Sequence, residues 1–294
     1  MTFTAQAQTA RRVVHPIEVD RALIGATHGT LGNPTVWVFA ASLLLFAIGS
    51  AGYLSGRLSP VVQVPLHALA AYLAFTVLHD GMHGVAHANR SINATLARLS
   101  GAVLTIPLPL FRAVHLEHHS HTNDPKRDPD FVVARAPRLA LPLWLLAVVV
   151  EYRLAFYGRK LWRSTSDLVE AVASDVGLVA LVIAAVAGGW WRLLVVLWLL
   201  PALLAVLFLA LFFDFLPHYP FDTRARYFDT RIYPGAALNA VLLGQNYHLI
   251  HHLWTTIPWY RYRRVFATVH PGLAARGCRI GWRVTPLPRE ISEA

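Results

Sequence analysis

Four long apolar runs constrain this chain more than any other feature of its sequence: Pro34 to about Tyr53, Val61 to about Leu78, about Leu168 or Val176 to Ala187, and Trp190 to Phe215. Inside hydrocarbon every backbone N–H and C=O must find its partner within the protein, so a run of this kind is expected to cross as a helix. At 1.5 Å per residue, about 20 residues cover a hydrocarbon core of roughly 30 Å. The whole chain agrees: 55% of its 294 residues are hydrophobic, only 14% are charged, and mean hydropathy is +0.45, too apolar for a soluble domain of this length.

Gly56-Arg57-Leu58-Ser59-Pro60 turns the first run into the second, Gly188-Gly189 turns the third into the fourth, and Pro201 predicts a kink in the last. The expected fold is all-α, an integral membrane four-helix bundle made of two hairpins, spanning residues 34–280 between an N-terminal arm (1–33) and a C-terminal tail (281–294). Two further apolar stretches, 92–111 and 139–150, are interrupted by Pro107, Pro109 and Pro142 or are short, and read as interfacial or re-entrant helices that cap the bundle. No internal repeat or linker marks a second domain.

Charge sets the expected orientation. Of 26 Lys and Arg, only Arg57 and Arg192 fall in the two turns on one side; the arm, the 84–170 region and the C-terminal region hold the others, which places both termini on the cytoplasmic side. The net charge of +10 is thereby accounted for at a membrane face, and no nucleic-acid partner is expected. Residues 1–33 carry no secretory h-region, so the first apolar run is expected to be retained as a span. One cysteine, Cys278, excludes an internal disulfide and a thiolate-held iron–sulfur cluster.

The chemistry sits where the runs end. His115, His118 and His119 stand at offsets of zero, three and four, which share one helix face, and His248, His251 and His252 repeat that spelling. With 15 His in the chain, random placement would produce roughly 0.04 such motifs, so two are not noise. His79 and His83, one turn apart, close the second run. The four-span topology returns all three boxes to the same, cytoplasmic, membrane face. Eight imidazoles exceed the four ligands of a closed zinc site and suit two metals with open positions.

At the end of the fourth run Asp214 and His218 stand four residues apart. An acid at membrane depth is costly unless paired or coordinated, so both join the candidate site, His218 as a metal ligand and Asp214 as ligand or support. His87, His121 and Asp80 are further candidates for ligands or for groups that hold ligands. Glu117, Asp124, Asp128 and Asp130 lie near enough in sequence to accept the second N–H of a ligating imidazole. His15, His28, His67 and His270 lack box spacing and read as structural. No catalytic residue beyond the metal ligands is expected, since the chain has neither a peptidase HExxH helix nor a nucleophile elbow.

These boxes resemble the HxxxH, HxxHH and HxxHH signature of the membrane fatty-acid desaturase and hydroxylase superfamily, over about residues 35 to 280. The runs His79-Asp80-Gly81-Met82-His83-Gly84-Val85-Ala86-His87, Phe212 to His218 and Gly244 to Trp254, with Ile257-Pro258-Trp259-Tyr260, are most similar to the desaturase-type β-carotene hydroxylases of cyanobacteria. The resemblance implies a non-haem di-iron centre, O₂ as co-substrate, and electrons from an external donor such as a ferredoxin. Asp214 and His218 match a polar residue and a ninth His that help hold one iron in related acyl-CoA desaturases, where the polar residue is Asn. The middle box, His118-His119-Ser120-His121-Thr122-Asn123-Asp124-Pro125, is closer to generic desaturases. The expected reaction is oxidation of an apolar lipid, foremost 3-hydroxylation of a carotenoid ring, with acyl-lipid desaturation as the alternative. A histidine-rich metal transporter is a remote third reading, because its ligands would sit at midplane and these sit at helix ends. Arg261, Arg263 and Arg264 form a basic cluster suited to an acidic donor or to anionic lipid.

Overall fold

A computed structural model describes residues 17–27, 29–135, 140–284, 286, 287 and 291. His15 and His28 lie outside the described residues. The described chain is helical without a β-strand; the one extended pairing is an isolated bridge between Ile232 and Ile280.

The first two helices, α1 (Pro34–Leu54) and α2 (Pro60–Met82), form the expected hairpin. Each begins with Pro in its first turn, where a missing N–H costs nothing. The Asn33 side chain caps α1 by accepting from Thr35 N and donates to the Ala86 carbonyl, which ties the start of α1 to the chain just past the first histidine box. Helix α2 is the spine of the molecule, packing against α1, α3 (Arg90–Val103) and the long helix α8 (Trp191–His218).

Helices α3 and α4 (Leu108–His121) meet at 94°. Thr105 adopts a left-handed backbone (φ 59°), and Pro107 rejects a helical residue before it, so the chain cannot run through. This bend falls in the 92–111 stretch expected as interfacial or re-entrant, and its geometry is that of a broken span or a re-entrant loop. It turns α4 so that its last turns, with His115, His118 and His119, lie over the end of α2.

Helices α5 (Leu141–Leu145) and α6 (Val148–Gly158) follow, then α7 (Thr165–Ala187), capped by the Ser164 hydroxyl, and α8. The four expected spans are all present as helices of 21, 23, 23 and 28 residues. The segment Leu141–Gly158, expected as an interfacial helix, also satisfies the same length and apolarity, so five described helices do, and length and composition alone do not single out the two-hairpin bundle. Their outward surfaces are apolar: Trp37, Leu44, Val61, Val179 and Ile183 are exposed, as a lipid environment requires.

Helix α8 is not uniformly α. It opens into π-turns at Val195–Leu199 and Ala210–Phe215. At the first, the Leu197 carbonyl meets His67 Nδ1 at 2.7 Å while His67 Nε2 meets the Phe46 carbonyl at 3.1 Å, so His67 bridges α1 and α8 as the structural residue expected. After α8 come three short segments: α9 (Ala236–Val241), α10 (His248–Leu253) and α11 (Tyr262–Ala275). The last two, with the turns around them, build a second, smaller core from Tyr247, Leu249, Ile250, Ile257, Tyr262 and Val265, which presses the third box against the ends of α2 and α4.

Candidate metal centre

The three boxes and His218 converge, although they are separated by up to 173 positions in the chain. His79 and His83 come from the end of α2, where His83 is the C-cap and Gly84 (φ 78°) turns the chain away. His115, His118 and His119 come from one face of α4, His218 from the end of α8, and His248, His251 and His252 from α10. Helix α10 is held by Gly244, left-handed at φ 83°, whose missing side chain leaves room for the Trp259 carbonyl.

The imidazoles sort into two groups. In the first, His79 Nε2 lies 3.1 Å from His251 Nε2, which lies 2.9 Å from His119 Nε2, itself 3.0 Å from His115 Nε2; His83 joins them. In the second, His118 Nε2 lies 3.3 Å from His252 Nε2, which is 3.1 Å from His248 Nε2, and that atom is 3.2 Å from His218 Nε2. The groups adjoin, because His118 and His119, like His251 and His252, are chain neighbours assigned one to each.

Such crowding has a chemical meaning. A neutral imidazole has one N–H, so a row of Nε2 atoms facing each other cannot all be hydrogen-bonded. Around a cation the same spacing is natural: metal–nitrogen bonds of about 2.1 Å place neighbouring nitrogens roughly 3.0 Å apart at right angles and roughly 3.4 Å apart in a tetrahedron. The observed spacings of 2.9 to 3.3 Å fit two such spheres. His83 Nε2, buried and without a hydrogen-bond partner, faces into the first. Burial, reinforced by neighbouring imidazoles, holds His83, His248, His251 and His252 well below the ordinary histidine range, hence neutral, the form that ligates.

The outer nitrogens are oriented by the surroundings. His118 Nδ1 lies 2.8 Å from Asp128 Oδ1 and 3.3 Å from Asp130 Oδ2. His251 Nδ1 lies 3.0 Å from the Tyr262 hydroxyl. Asn123, left-handed at φ 63°, donates its backbone N–H to Asp128 Oδ2 at 2.7 Å and its side-chain amide to the Thr223 and Asp229 carbonyls, locking the loop after α4. Asp80 accepts from the Thr35 hydroxyl, which in turn accepts from Trp259 Nε1, so it braces the first box from behind.

The remaining candidates separate cleanly. Asp214 lines a small cavity facing both groups, together with Asp130 and Tyr152. His87 does not join: its Nδ1 accepts from Asn89 N and its Nε2 lies near the Thr30 hydroxyl. His121 turns outward to Glu117, which also pairs with Arg127 and Arg159. Asp124 pairs with Arg224. Tyr262 and Tyr152 carry no box spacing, and only the folded chain brings them to the site; Asp128 and Asp130, two of several nearby acids, are singled out by contact alone.

Comparison with known proteins agrees with this construction. Residues 58–283 match the family model described as fatty acid desaturase. The chain is 29% identical over 258 residues to a β-carotene ketolase of Paracoccus sp. (strain PC1), covering 83% of this chain and 98% of that protein. A β-carotene ketolase of Paracoccus sp. (strain N81106 / MBIC 01143) is 29% identical over 219 residues, 67% of this chain and 78% of its own. An acyl-lipid (7-3)-desaturase of Diacronema lutheri is 29% identical over 111 residues, 37% of this chain and 25% of its own. The matched region takes in every histidine of both groups, and so the chain is an oxidoreductase that belongs to the fatty acid desaturase family.

Proposed function

We propose that this protein is an O₂-dependent membrane oxygenase that holds two irons and oxidises a ring C–H bond of a carotenoid. The observation that carries it is the cavity of about 10 Å³ onto which both histidine groups face, walled by Phe75, Phe111, Phe213 and Tyr152. It has room for about one water-sized molecule between the two groups, and Phe75, Phe111 and Phe213 give it an apolar side toward the membrane helices while Asp130, Asp214 and Tyr152 give it a polar one. His79, His83, His115, His119 and His251 would hold one iron and His118, His218, His248 and His252 the other, supplying reductive activation of O₂.

The reaction consumes O₂, two electrons and two protons for each C–H converted to C–OH, and releases one water. Asp130, Asp214 and Tyr152, clustered on the cavity wall, stand where those protons are needed. Asp128 and Tyr262 keep His118 and His251 oriented by fixing their Nδ1 atoms. Electrons come from an external donor such as a ferredoxin; Arg263 and Arg264 are exposed for it, whereas Arg261 is engaged by the Gly25 carbonyl and the Thr27 hydroxyl. In this reading the face carrying the histidines, and both termini, are cytoplasmic, which the distribution of Lys and Arg supports.

A single round at position 3 produces the hydroxyl expected from the sequence. A ketone requires two rounds at one carbon followed by loss of water, and the near full-length likeness to a β-carotene ketolase favours that second product. Expression in a β-carotene-producing bacterium supplied with a ferredoxin system tests the reading: hydroxylated or keto pigment supports it and tells the products apart. Unchanged β-carotene beside newly unsaturated membrane fatty acids overturns it in favour of a desaturase.

A further inference from the structure

The 10 Å³ space at the metals admits no lipid, so the substrate must arrive along a path that opens. A groove of about 400 Å³ lies between α2 and α8, lined by Ala68, Leu69 and Tyr72 on one side and Leu204 and Phe208 on the other, with Val241 of α9 closing its metal-side end. Its rim is exposed at Leu69, Leu204 and Val241. We infer that this groove is the lateral entrance through which a wholly apolar, head-group-free lipid passes from the bilayer to the metal cavity, with the Tyr72, Phe208, Phe75 and Phe213 rings as the gate. The inference rests on the oxygenase reading above and adds the route and the kind of substrate.

Three observations support it. The first is continuity. Tyr72, Phe75 and His79 stand at offsets of three and four on one face of α2, and Tyr72 lies about 10 Å from His79 at 1.5 Å per residue. The Tyr72 ring contacts Phe208 at 5.1 Å and Phe213 at 6.3 Å; Phe75 contacts Phe213 at 5.2 Å and Phe111 at 5.6 Å. Tyr72 and Phe208 line the groove while Phe75, Phe111 and Phe213 line the metal cavity, so one run of touching rings separates the two spaces.

The second is the π-turn at Ala210–Phe215. In an uninterrupted α-helix residues five apart point in different directions. A π-turn widens the spiral, bringing Phe208 and Phe213 to the same side, where both meet Tyr72, and carrying His218, five further on, to the metals.

The third is chemical selection. Grooves of about 440, 510 and 630 Å³ elsewhere on the molecule each carry ionised side chains, Arg98 with Glu170, Arg153 with Asp175, and Asp222 with Arg224. The α2–α8 groove has none. Its polar atom is the Tyr72 hydroxyl, which donates to the Val241 carbonyl at 2.7 Å and so latches α2 to α9. A tethered lipid would need a site for its head; a long, rigid hydrocarbon needs only this slot.

The test fills the slot from its partly exposed side with Ala68→Trp and, separately, crowds the 510 Å³ groove with Val179→Trp. Two readouts are taken on purified full-length protein: β-carotene retained by the metal-free form, and kcat and KM of the iron-loaded form with a ferredoxin system. Ala68→Trp is expected to lose pigment retention and to raise KM by about tenfold or more with metal content unchanged, while Val179→Trp behaves as wild type. Leu204→Trp, on the opposite rim, is expected to repeat the effect. Retention and KM unaffected by both α2–α8 variants, or lost instead in Val179→Trp, overturn the entrance. Pigment retained through this groove but never oxidised would overturn the oxygenase reading and leave the entrance standing.

Discussion

Replacing Asp128 by Asn should strip metal from one of the two histidine groups and spare the other. The Asp128 carboxylate is buried; Oδ1 faces His118 Nδ1 at 2.8 Å and accepts from Asp130 N at 2.9 Å, and Oδ2 accepts from Asn123 N at 2.7 Å. An amide has one oxygen. If that oxygen keeps His118, the new NH₂ confronts the Asn123 N–H; if it turns to Asn123, the NH₂ confronts His118. Either way at least one buried donor loses its acceptor, at a cost of about 1–3 kcal/mol. Loss of a group that orients a ligating imidazole typically weakens metal binding by about 10–100-fold, or roughly 1.4–2.8 kcal/mol, in the same range. Asp130 Oδ2, 3.3 Å from the same Nδ1, remains as a partial substitute, which points to the lower end, about tenfold. His118 belongs to the group with His218, His248 and His252, so dialysis against a graded chelator should take the variant from two irons to one well before the wild type, with turnover lost in step. Iron content and turnover indistinguishable from wild type across the chelator series would refute the assignment of Asp128 to His118.

Tyr262→Phe removes the hydroxyl at His251 Nδ1 and should weaken the other iron, about tenfold, so that its combination with Asp128→Asn loses both; measured iron per chain checks this. The metal-free protein should lose stability as pH falls below 6.5, because His248, His251 and His252 are held well below that value when folded and the unfolded chain takes up more protons; a Tm that does not fall between pH 7.5 and 5 would contradict it. Gly244→Ala forces a side chain into a left-handed position with its Cβ 2.5 Å from the Trp259 carbonyl, costing about 1–2 kcal/mol for the backbone alone before the clash is relieved, and should lower both Tm and iron content.

Much of the site was legible before any coordinates. Offsets of three and four bring side chains to one helix face whatever that helix later touches, so His115, His118 and His119 were bound to point together, as were His248, His251 and His252. Apolar runs of about 20 residues had to become helices because hydrocarbon offers the backbone no partner. His218 was legible for the related reason that a polar pair at the end of such a run needs a purpose. The bend between α3 and α4 was foreshadowed by Pro107, though its angle was not.

What spacing does not encode is which neighbours a face will meet. His118 and His119 are adjacent, yet they serve different groups, and the division follows from α10 lying across α4 so that His251 reaches one side and His252 the other. His87 stands one turn beyond His83 as His83 stands beyond His79, but Gly84 has already ended the helix, and the imidazole is left capping Asn89 instead. Asp128 was one of five nearby acids until the left-handed Asn123 folded it back onto His118. The π-turns of α8, which aim Phe213 and His218, leave no mark in an apolar run that any helix could use. Local periodicity is a property of the backbone and can be read from the order of residues; partition, orientation and access arise from contacts between segments distant in the chain, and those exist only once the chain has packed.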